Sequence, residues 1–380
     1  MDSRIFLSFP HMGGNEMQWI DKAFKDSWVV PLGPNVNEFE SLLGEYLGNN
    51  NVVALSAGTA ALHLGLVMLG VEAGDEVICQ SFTFAASANP IAYQGAKPIF
   101  VDSESDTWNM SPIALEEAII DRKKVTGKYP KAIIPVHLYG MPAKMNEILN
   151  IANKYGIPVL EDAAEALGSE YCGKKCGTLG QYGALSFNGN KIITTSGGGA
   201  LICPTPDDDK RVKFLATQAR ENMPYYYHNV IGYNYRLSNI SAGIGCGQMQ
   251  VLANHVARRK AIHSLYTKLF DGVEGINVMQ NPSSDFDSNF WLTTITFDKN
   301  LNICPEDMRL ALEAHNIESR WLWRPMHMQP VFKDAPYYGG TCAEDLFNRG
   351  LCLPSGSILS DEDIHRVANA VISFVVQRKF

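Results

Sequence analysis

The segment SFNGNKIITTSGGG, residues 186–199, contains one lysine, Lys191, between a short apolar run and a glycine triplet. Predicted strands at residues 183–187 and 199–203 flank it. A lysine that acts as a nucleophile has to be held still and partly desolvated, and this setting favours both. The alternative is a surface lysine beside a flexible turn. The rest of the sequence decides between the two.

Upstream of the lysine segment, short apolar runs alternate with helical patterns. The predicted strands are residues 51–55, 76–80, 98–101, 132–136 and 157–160. The predicted helices are residues 60–69, 84–93, 113–120 and 145–155, preceded by helices at 15–28 and 36–47. Such a pattern indicates an α/β fold with a large, mostly parallel sheet covered on both faces. In such folds the ligand site lies at the carboxyl ends of the strands.

The second part of the chain has a different pattern of predicted helices and strands. A helical pattern over residues 238–270 predicts one long helix that joins two domains. Beyond it, short strands at 290–297, 318–322 and 351–353 mix with helices at 308–315, 343–348 and 361–375, which predicts a small C-terminal α+β domain. A chain of 380 residues is long enough for both. We predict a large domain over residues 1–250 and a small one over residues 251–380.

The composition argues against several classes of protein, including nucleic-acid binders and membrane proteins. Hydrophobic residues make up 46% of the chain and charged residues 19%, which is typical of a soluble globular protein. A net charge of -8 argues against a nucleic-acid binder. No apolar run is long enough for a membrane span, and residues 1–14 lack a signal-peptide pattern. The eight cysteines are scattered, as expected of reduced thiols. We expect a cytoplasmic enzyme without a bound metal.

The sequence SAGTAA, residues 56–61, lies where a predicted strand ends and a helix begins. The free amides of a first helical turn and the helix dipole favour an anion there, and the Thr59 hydroxyl adds a donor. Gly58 lets the anion approach the backbone. The alternative is an ordinary helix start capped by Ser56 or Thr59.

Asp162 follows the predicted strand 157–160, where a carboxylate can point into a site. It could instead cap a short helix at residues 163–167. A functional role would be an ion pair with a protonated ring nitrogen. Glu161 and Glu165 could form a metal site, but no histidine lies nearby at ligand spacing.

These features together fit pyridoxal 5′-phosphate (PLP). This cofactor requires a phosphate cradle, an acid beside its pyridinium nitrogen and a lysine that binds its aldehyde covalently. The sequence supplies the SAGTAA turn, Asp162 and Lys191.

The chain resembles the DegT/DnrJ/EryC1/StrS family of sugar aminotransferases over essentially its full length. The resemblance rests on the motifs SAGTAALH (56–63), SFTF (81–84), EDAA (161–164), SFNGNK with TTSGGG (186–199) and GYNYR (232–236). It implies an aspartate aminotransferase-like fold (PLP fold type I). The runs FPHMGG (9–14) and QAREN (218–222) strengthen a closer resemblance to members that aminate UDP-linked 2-acetamido-4-keto sugars.

The resemblance also implies residue roles. Lys191 would bind the cofactor and then, as a free amine, move the proton between carbon atoms. The cofactor-binding residues would be Gly58, Thr59, Phe84, Asp162, Ser186, Lys191 and Asn234. In this set Phe84 would stack on the cofactor, although core packing is the alternative. Asn234, or less readily Arg236, would reach the phosphate in a neighbouring subunit, so the active unit would be a homodimer.

By the same resemblance, the enzyme would transfer the amino group of L-glutamate to C4 of a UDP-linked 2-acetamido-4-keto-2,6-dideoxy hexose for glycan biosynthesis. Alternatives are a GDP- or dTDP-linked keto sugar, amination at C3, a sugar dehydratase of the same fold, or a non-catalytic relative. Glu165 departs from the glutamine or histidine of many members, which requires that it be protonated or point elsewhere. Sugar contacts stay open among His11, His327, Arg220, Arg324 and Tyr233.

Overall fold

The computed structural model describes residues 3–378, which contain both helices and strands. The α-helices of this part of the chain are α1 (Glu16–Lys25), α2 (Pro34–Leu47), α3 (Gly58–Met68), α4 (Asn89–Tyr93), α5 (Pro112–Thr126), α6 (Met145–Tyr155), α7 (Pro206–Ala216), α8 (Asn239–Met249), α9 (Leu252–Phe270), α10 (Pro305–Ala314), α11 (Cys342–Arg349) and α12 (Asp361–Arg378). None of the helices in this range combines the length and the apolar character needed to cross a membrane.

The strands of the same range are mostly short. They are β1 (Val52–Leu55), β2 (Glu76–Gln80), β3 (Lys97–Val101), β4 (Ala132–Ile134), β5 (Leu160–Asp162), β6 (Glu170–Tyr171), β7 (Lys174–Lys175), β8 (Tyr182–Ser186), β9 (Gly199–Ile202), β10 (Ile276–Val278), β11 (Phe286–Asp287), β12 (Thr293–Phe297), β13 (Arg320–Trp321), β14 (Tyr337–Tyr338) and β15 (Gly350–Leu353).

The main sheet has two four-stranded halves, with orders β1-β9-β8-β5 and β4-β2-β3-β14. Parallel bridges from Ile133 to Val159 and from Val136 to Asp162 join β4 to β5. Only β9 runs antiparallel to its neighbours, β1 and β8. The predicted α/β class with a mostly parallel sheet is therefore confirmed. Its strands are buried along nearly their whole length because helices cover both faces.

The C-terminal part contains a second, antiparallel sheet of order β10-β12-β15-β13. Helices α9, α10 and α12 pack on it around a separate apolar cluster that includes Tyr266, Phe297 and Val371. This arrangement suits a small α+β unit. The boundary at residue 250 stays a prediction.

Two predicted helices are interrupted, and the one predicted over 113–120 is longer, as α5 ends at Thr126. The helix predicted over residues 238–270 is two helices, because α8 ends at Met249 and α9 begins at Leu252. The two pack on different partners, α8 on α1 and α2, α9 on α12. The helix predicted over 84–93 is a turn at 85–87 followed by α4, since Pro90 has no amide to donate to the preceding turn of a continuous helix and is tolerated only in the first turn of a new one.

The strand predicted over residues 157–160 is displaced toward its carboxyl end. Strand β5 spans Leu160–Asp162 and pairs in parallel with β8. It therefore includes two carboxylates, Glu161 and Asp162, which are 0% and 4% exposed. Apolar patterning does not predict such a strand end, and buried carboxylates require compensating partners.

Candidate active site

A cavity of about 310 Å³ opens at the carboxyl ends of β1, β5 and β8. The residues that line it include six of the seven predicted site residues, namely Gly58, Thr59, Phe84, Asp162, Ser186 and Lys191. They come from four separate stretches of sequence. The parallel sheet brings these stretches together at one edge, as the predicted fold requires.

The first turn of α3 forms one wall of this cavity. The helix begins at Gly58, and its N-cap, Ala57, has no side chain that can bond the first amides. The predicted alternative of a helix capped by Ser56 or Thr59 is thus wrong. A Cβ on Gly58 would lie 2.9 Å from the Ser186 Cβ, so only glycine allows this close approach. An uncapped helix start beside two hydroxyl side chains is suited to a phosphate.

Asp162 lies at the end of β5 in a largely desolvated position. Burial raises the pKa of its carboxyl, while hydrogen bonds from Ser87 and Ala164 oppose that rise. Ser87 Oγ donates to Asp162 Oδ2 at 2.6 Å, and the Ala164 amide donates to Oδ1 at 3.1 Å. Since Ser87 uses its only proton here, Thr83 Oγ1 is the donor in its 2.7 Å bond to Ser87. Asp162 caps a turn and not the predicted helix.

The ammonium group of Lys191 lies between a carboxylate and an aromatic ring. Lys191 Nζ donates to Glu165 Oε1 at 3.3 Å and lies 4.0 Å from the centre of the Trp291 ring. Glu165 also accepts the Tyr139 amide at 2.7 Å. Burial raises the pKa of Glu165, and the Lys191 charge acts against that rise. Lys191 is therefore held in place by two side chains, which is the setting a nucleophilic lysine requires.

The backbone beside Lys191 is fixed by distant segments of the chain. The Asn190 carbonyl accepts hydrogen bonds from Trp291 Nε1 (2.7 Å) and from Ser8 Oγ (2.6 Å). Arg259, which is 1% exposed, donates to the Trp291 carbonyl and, at 2.9 Å, to Ser8 Oγ. The alternative of a surface lysine beside a flexible turn is wrong. Glu165 and Trp291 contact the Lys191 side chain, and hydrogen bonds from Trp291 and Ser8 hold the adjacent backbone.

Aromatic rings form another part of the cavity lining. Phe84 is 55% exposed and contacts the Trp323 ring at a centroid distance of 5.4 Å. It lines the cavity and does not pack in the core, so the core-packing alternative is wrong. A flat ligand can stack on such a ring.

The remaining predicted residues lie outside the cavity. Asn234 is exposed and accepts a hydrogen bond from Gln218 at 3.1 Å. Arg236 forms a nearly buried ion pair with Glu40 at 2.6 Å, within its own chain. His327 bonds Ser81 and Glu344, and His11 bonds Ser357, so each histidine has structural partners.

The other residues proposed for substrate contact also lie away from the cavity lining. Arg220 stacks on Tyr226 and Tyr233 packs against His63. Glu161, offered above as a metal ligand with Glu165, accepts amides of the loop 177–180 and bonds His137 at 2.8 Å. The two glutamates thus have separate sets of partners.

Sequence reasoning missed several residues around the cavity. The sequence patterns indicate no role for Ser87 or Trp291, and Glu165 is not among the predicted site residues. Ser87 donates to Asp162 and accepts from Thr83, and we call this pair of bonds the Ser87 relay. The SFTF motif points to this region, because Thr83 belongs to it. Trp291 gave none, because it lies far along the chain.

The cavity fits PLP on the evidence of its own groups. The uncapped start of α3 with Thr59 and Ser186 would hold the phosphate. Asp162 is a buried carboxylate that forms no ion pair with any residue between 3 and 378, which suits a pyridinium nitrogen. Lys191 provides the amine that binds the aldehyde.

Comparison with known proteins agrees with this assignment. The profile of the DegT/DnrJ/EryC1/StrS aminotransferase family matches residues 10–372. A Bacillus subtilis (strain 168) relative named "Putative pyridoxal phosphate-dependent aminotransferase EpsN" is 49% identical, covering 98% of this chain and 96% of its own. A crystal structure of a family member from Brucella abortus superposes with a TM-score of 0.88 at 31% identity, covering 95% of each chain.

The names of two further relatives include a nucleotide-linked sugar. The GDP-perosamine synthase of Caulobacter vibrioides is 36% identical over 98% of this chain and 99% of its own. A UDP-N-acetyl-3-dehydro-alpha-D-glucosamine 3-aminotransferase of Acidithiobacillus ferrooxidans is 32% identical over 88% of each chain.

Proposed function

Because the chain belongs to the DegT/DnrJ/EryC1/StrS aminotransferase family and is a PLP-dependent sugar aminotransferase, we propose that it transfers the amino group of L-glutamate to C4 of a UDP-linked 2-acetamido-4-keto-2,6-dideoxy hexose. The observation that carries the proposal is the position of Lys191, which faces the cavity between Glu165 and Trp291 with Asp162 in the same wall.

The residues of the cavity have separate tasks in this proposal. When bound, PLP would supply an aldehyde carbon that takes up the amino group and passes it on, and a ring that accepts the charge left on the substrate carbon. Lys191 would move a proton from that carbon to the carbon that takes up the amino group, and Glu165 would keep its amine oriented. Asp162 holds a negative charge where the ring nitrogen is protonated, and Ser87 orients that carboxylate. Gly58, Thr59 and Ser186 bind the phosphate.

The acceptor rests on weaker support than the reaction class. The motif resemblance and the Acidithiobacillus relative favour a UDP-linked N-acetyl sugar, although that relative's name places the amine at C3. The perosamine synthases favour a GDP-linked sugar as the second candidate. Both acceptors carry a ketone on a nucleotide-linked hexose, so one mechanism serves either.

We also propose that the active unit is a homodimer in which Asn234 completes the partner's phosphate site. Asn234 is exposed and lies outside the cavity of its own chain, as a residue acting in a second subunit would. Exposed apolar side chains in the same loop support this, including Tyr225, Tyr226 and Ile231.

The test is incubation of the purified protein with PLP, L-glutamate and either a UDP-linked 4-keto-6-deoxy-N-acetylhexosamine or a GDP-linked 4-keto-6-deoxyhexose. Mass spectrometry detects the amino sugar, and Lys191→Ala serves as the control. Amination of the UDP sugar by the wild type alone supports the proposal. Amination of only the GDP sugar replaces the acceptor, and failure to convert glutamate to 2-oxoglutarate overturns the reaction.

A further inference from the structure

Tyr139 is buried behind the cavity in a backbone conformation that tyrosine rarely adopts. Its φ and ψ are 56° and 17°, in the left-handed region, and its side chain is 2% exposed. A bulky residue is disfavoured there, and glycine would be tolerated more easily. Such a conformation persists only where the surrounding contacts determine it, and it is concentrated at functional sites.

The backbone of Tyr139 is tied to the carboxylate that holds Lys191. Its amide donates to Glu165 Oε2 at 2.7 Å, while Oε1 of the same carboxylate accepts Lys191 at 3.3 Å. The turn continues through Gly140, whose carbonyl accepts the Ser169 hydroxyl at 2.6 Å. A Cβ on Gly140 would collide with Asn289, so the chain has little room for another path. The left-handed turn therefore aims one amide at Glu165.

The side chain of Tyr139 is tied to a second part of the cavity lining. Its hydroxyl accepts the Trp323 amide at 2.8 Å. Its ring lies nearly parallel to the rings of Trp323 and Trp291, at centroid distances of 6.0 and 6.5 Å. Trp323 in turn contacts Phe84. The hydroxyl thus joins a loop after β4 to a segment after β13, far apart in sequence.

We propose that Tyr139 is a positioning residue that sets both walls of the cavity, with its amide acting on Glu165 and Lys191 and its hydroxyl on Trp323 and Phe84. It does not line the cavity, so it acts through these neighbours. The inference rests on the proposed function, since it assumes that the cavity binds PLP through Lys191.

Tyr139→Phe tests the hydroxyl, because it removes one oxygen and keeps the ring. The matched control is Tyr266→Phe. Tyr266 is also fully buried, and its hydroxyl donates to a backbone carbonyl, that of Pro354, at 2.9 Å. It belongs to the C-terminal apolar cluster and not to the cavity. Both variants lose one buried hydroxyl, but only Tyr139→Phe removes a bond to a residue that lines the cavity, Trp323.

The measurements on the holoenzyme are the PLP dissociation constant, the visible circular dichroism of bound PLP, and the thermal midpoint. We expect both variants to fold and lower the midpoint similarly. We expect only Tyr139→Phe to weaken PLP binding, about tenfold as for a lost hydrogen bond at a buried amide, and to change the visible dichroism.

Two outcomes would overturn the inference in different ways. If Tyr139→Phe matches Tyr266→Phe in both cofactor measurements, the Tyr139 hydroxyl has only a structural role and the inference that it sets the position of Trp323 and Phe84 is wrong, whatever the thermal midpoint. If Lys191→Ala retains the visible band of the wild type, the proposed site itself is wrong. Loss of that band in Lys191→Ala combined with an unchanged Tyr139→Phe leaves the site standing and removes the role of the Tyr139 hydroxyl.

Discussion

Lys191 Nζ lies 3.3 Å from Glu165 Oε1, so the proposed catalytic amine of the cofactor-free protein is paired with a buried carboxylate. Glu165 differs from the glutamine or histidine expected at this position from the family resemblance. The structure shows a reason why glutamate is tolerated: one oxygen meets the Lys191 ammonium and the other meets the Tyr139 amide. The carboxylate thus has a partner for each oxygen.

The first prediction concerns Glu165→Gln and pH. Burial raises the pKa of Glu165 in the folded protein above its unfolded value. The folded state therefore keeps this proton to higher pH than the unfolded chain, and ionisation reduces stability as pH rises through that window. The glutamine has no such proton. We therefore expect the difference in the free energy of unfolding, wild type minus variant, to fall as the pH rises through that window. Denaturant titration of the two cofactor-free proteins at several pH values measures this difference.

The same variant should remain an active enzyme. Glutamine retains an acceptor for the Tyr139 amide, so we expect kcat/KM to stay within about tenfold of the wild type. A stability difference that stays constant as the pH rises above 4.5, the ordinary pKa of glutamate, or a loss of activity as complete as in Lys191→Ala, would contradict this interpretation of Glu165.

The second prediction concerns the relay from Ser87 to Asp162. Asp162→Asn removes the negative charge proposed to face the ring nitrogen, and we expect kcat/KM to fall by at least about a hundredfold. Ser87→Ala removes the 2.6 Å bond that orients the carboxylate, and we expect a loss of about tenfold. In the double variant the Ser87 effect should vanish, since it acts through Asp162.

The control for Ser87→Ala is Ser355→Ala. Ser355 is equally buried and its hydroxyl donates to the Leu353 carbonyl at 2.7 Å, in the C-terminal sheet. Its loss should cost stability and leave kcat/KM near the wild-type value. Equal activity losses in the two serine variants would mean that the Ser87 effect is a general consequence of destabilisation.

Much of the fold could be predicted from local patterns. Strand β2 (Glu76–Gln80) and helix α6 (Met145–Tyr155) match their predicted bounds, because an apolar pattern and flanking turn residues set both ends. The break between α8 and α9 could not be predicted, since residues 250 and 251 are Gln and Val and neither ends a helix by its own preference. Packing on different partners causes that break.

The site could be predicted only in part, for a similar reason. Gly58 and Lys191 follow strands of the main sheet and Asp162 ends one, so topology alone brings them together. Trp291 and Tyr139 reach Lys191 through tertiary contacts. The buried Asn289 fixes the segment before Trp291 by donating to the carbonyls of Glu165 and Leu167, each at 2.9 Å. No periodicity in the sequence reports such a contact.

The third prediction concerns the buried Arg259. Its guanidinium donates to the Trp291 carbonyl and the Ser8 hydroxyl, and in the described part of the chain its Nε has no partner. A lysine cannot reproduce this two-pronged geometry. We expect Arg259→Lys to lower the free energy of unfolding by about 2 kcal/mol through the lost charge-assisted bond.

The effect of Arg259→Lys should overlap with that of Ser8→Ala. Both variants remove the bond between the two residues, so their losses should not add in the double variant. Denaturant unfolding of the four proteins measures this coupling. Strictly additive losses would show that Arg259 does not act through Ser8.

The last prediction concerns the proposed shared site. Asn234→Ala and Lys191→Ala should each be nearly inactive as pure proteins. In a heterodimer of the two, one site combines Lys191 and Asn234 from different subunits, so random mixing should restore about a quarter of the wild-type activity. Mixing Lys191→Ala with Asp162→Asn is the control, since both residues line the cavity of one chain and no intact site can form. Equal activity in the two mixtures would place Asn234 in its own subunit's site.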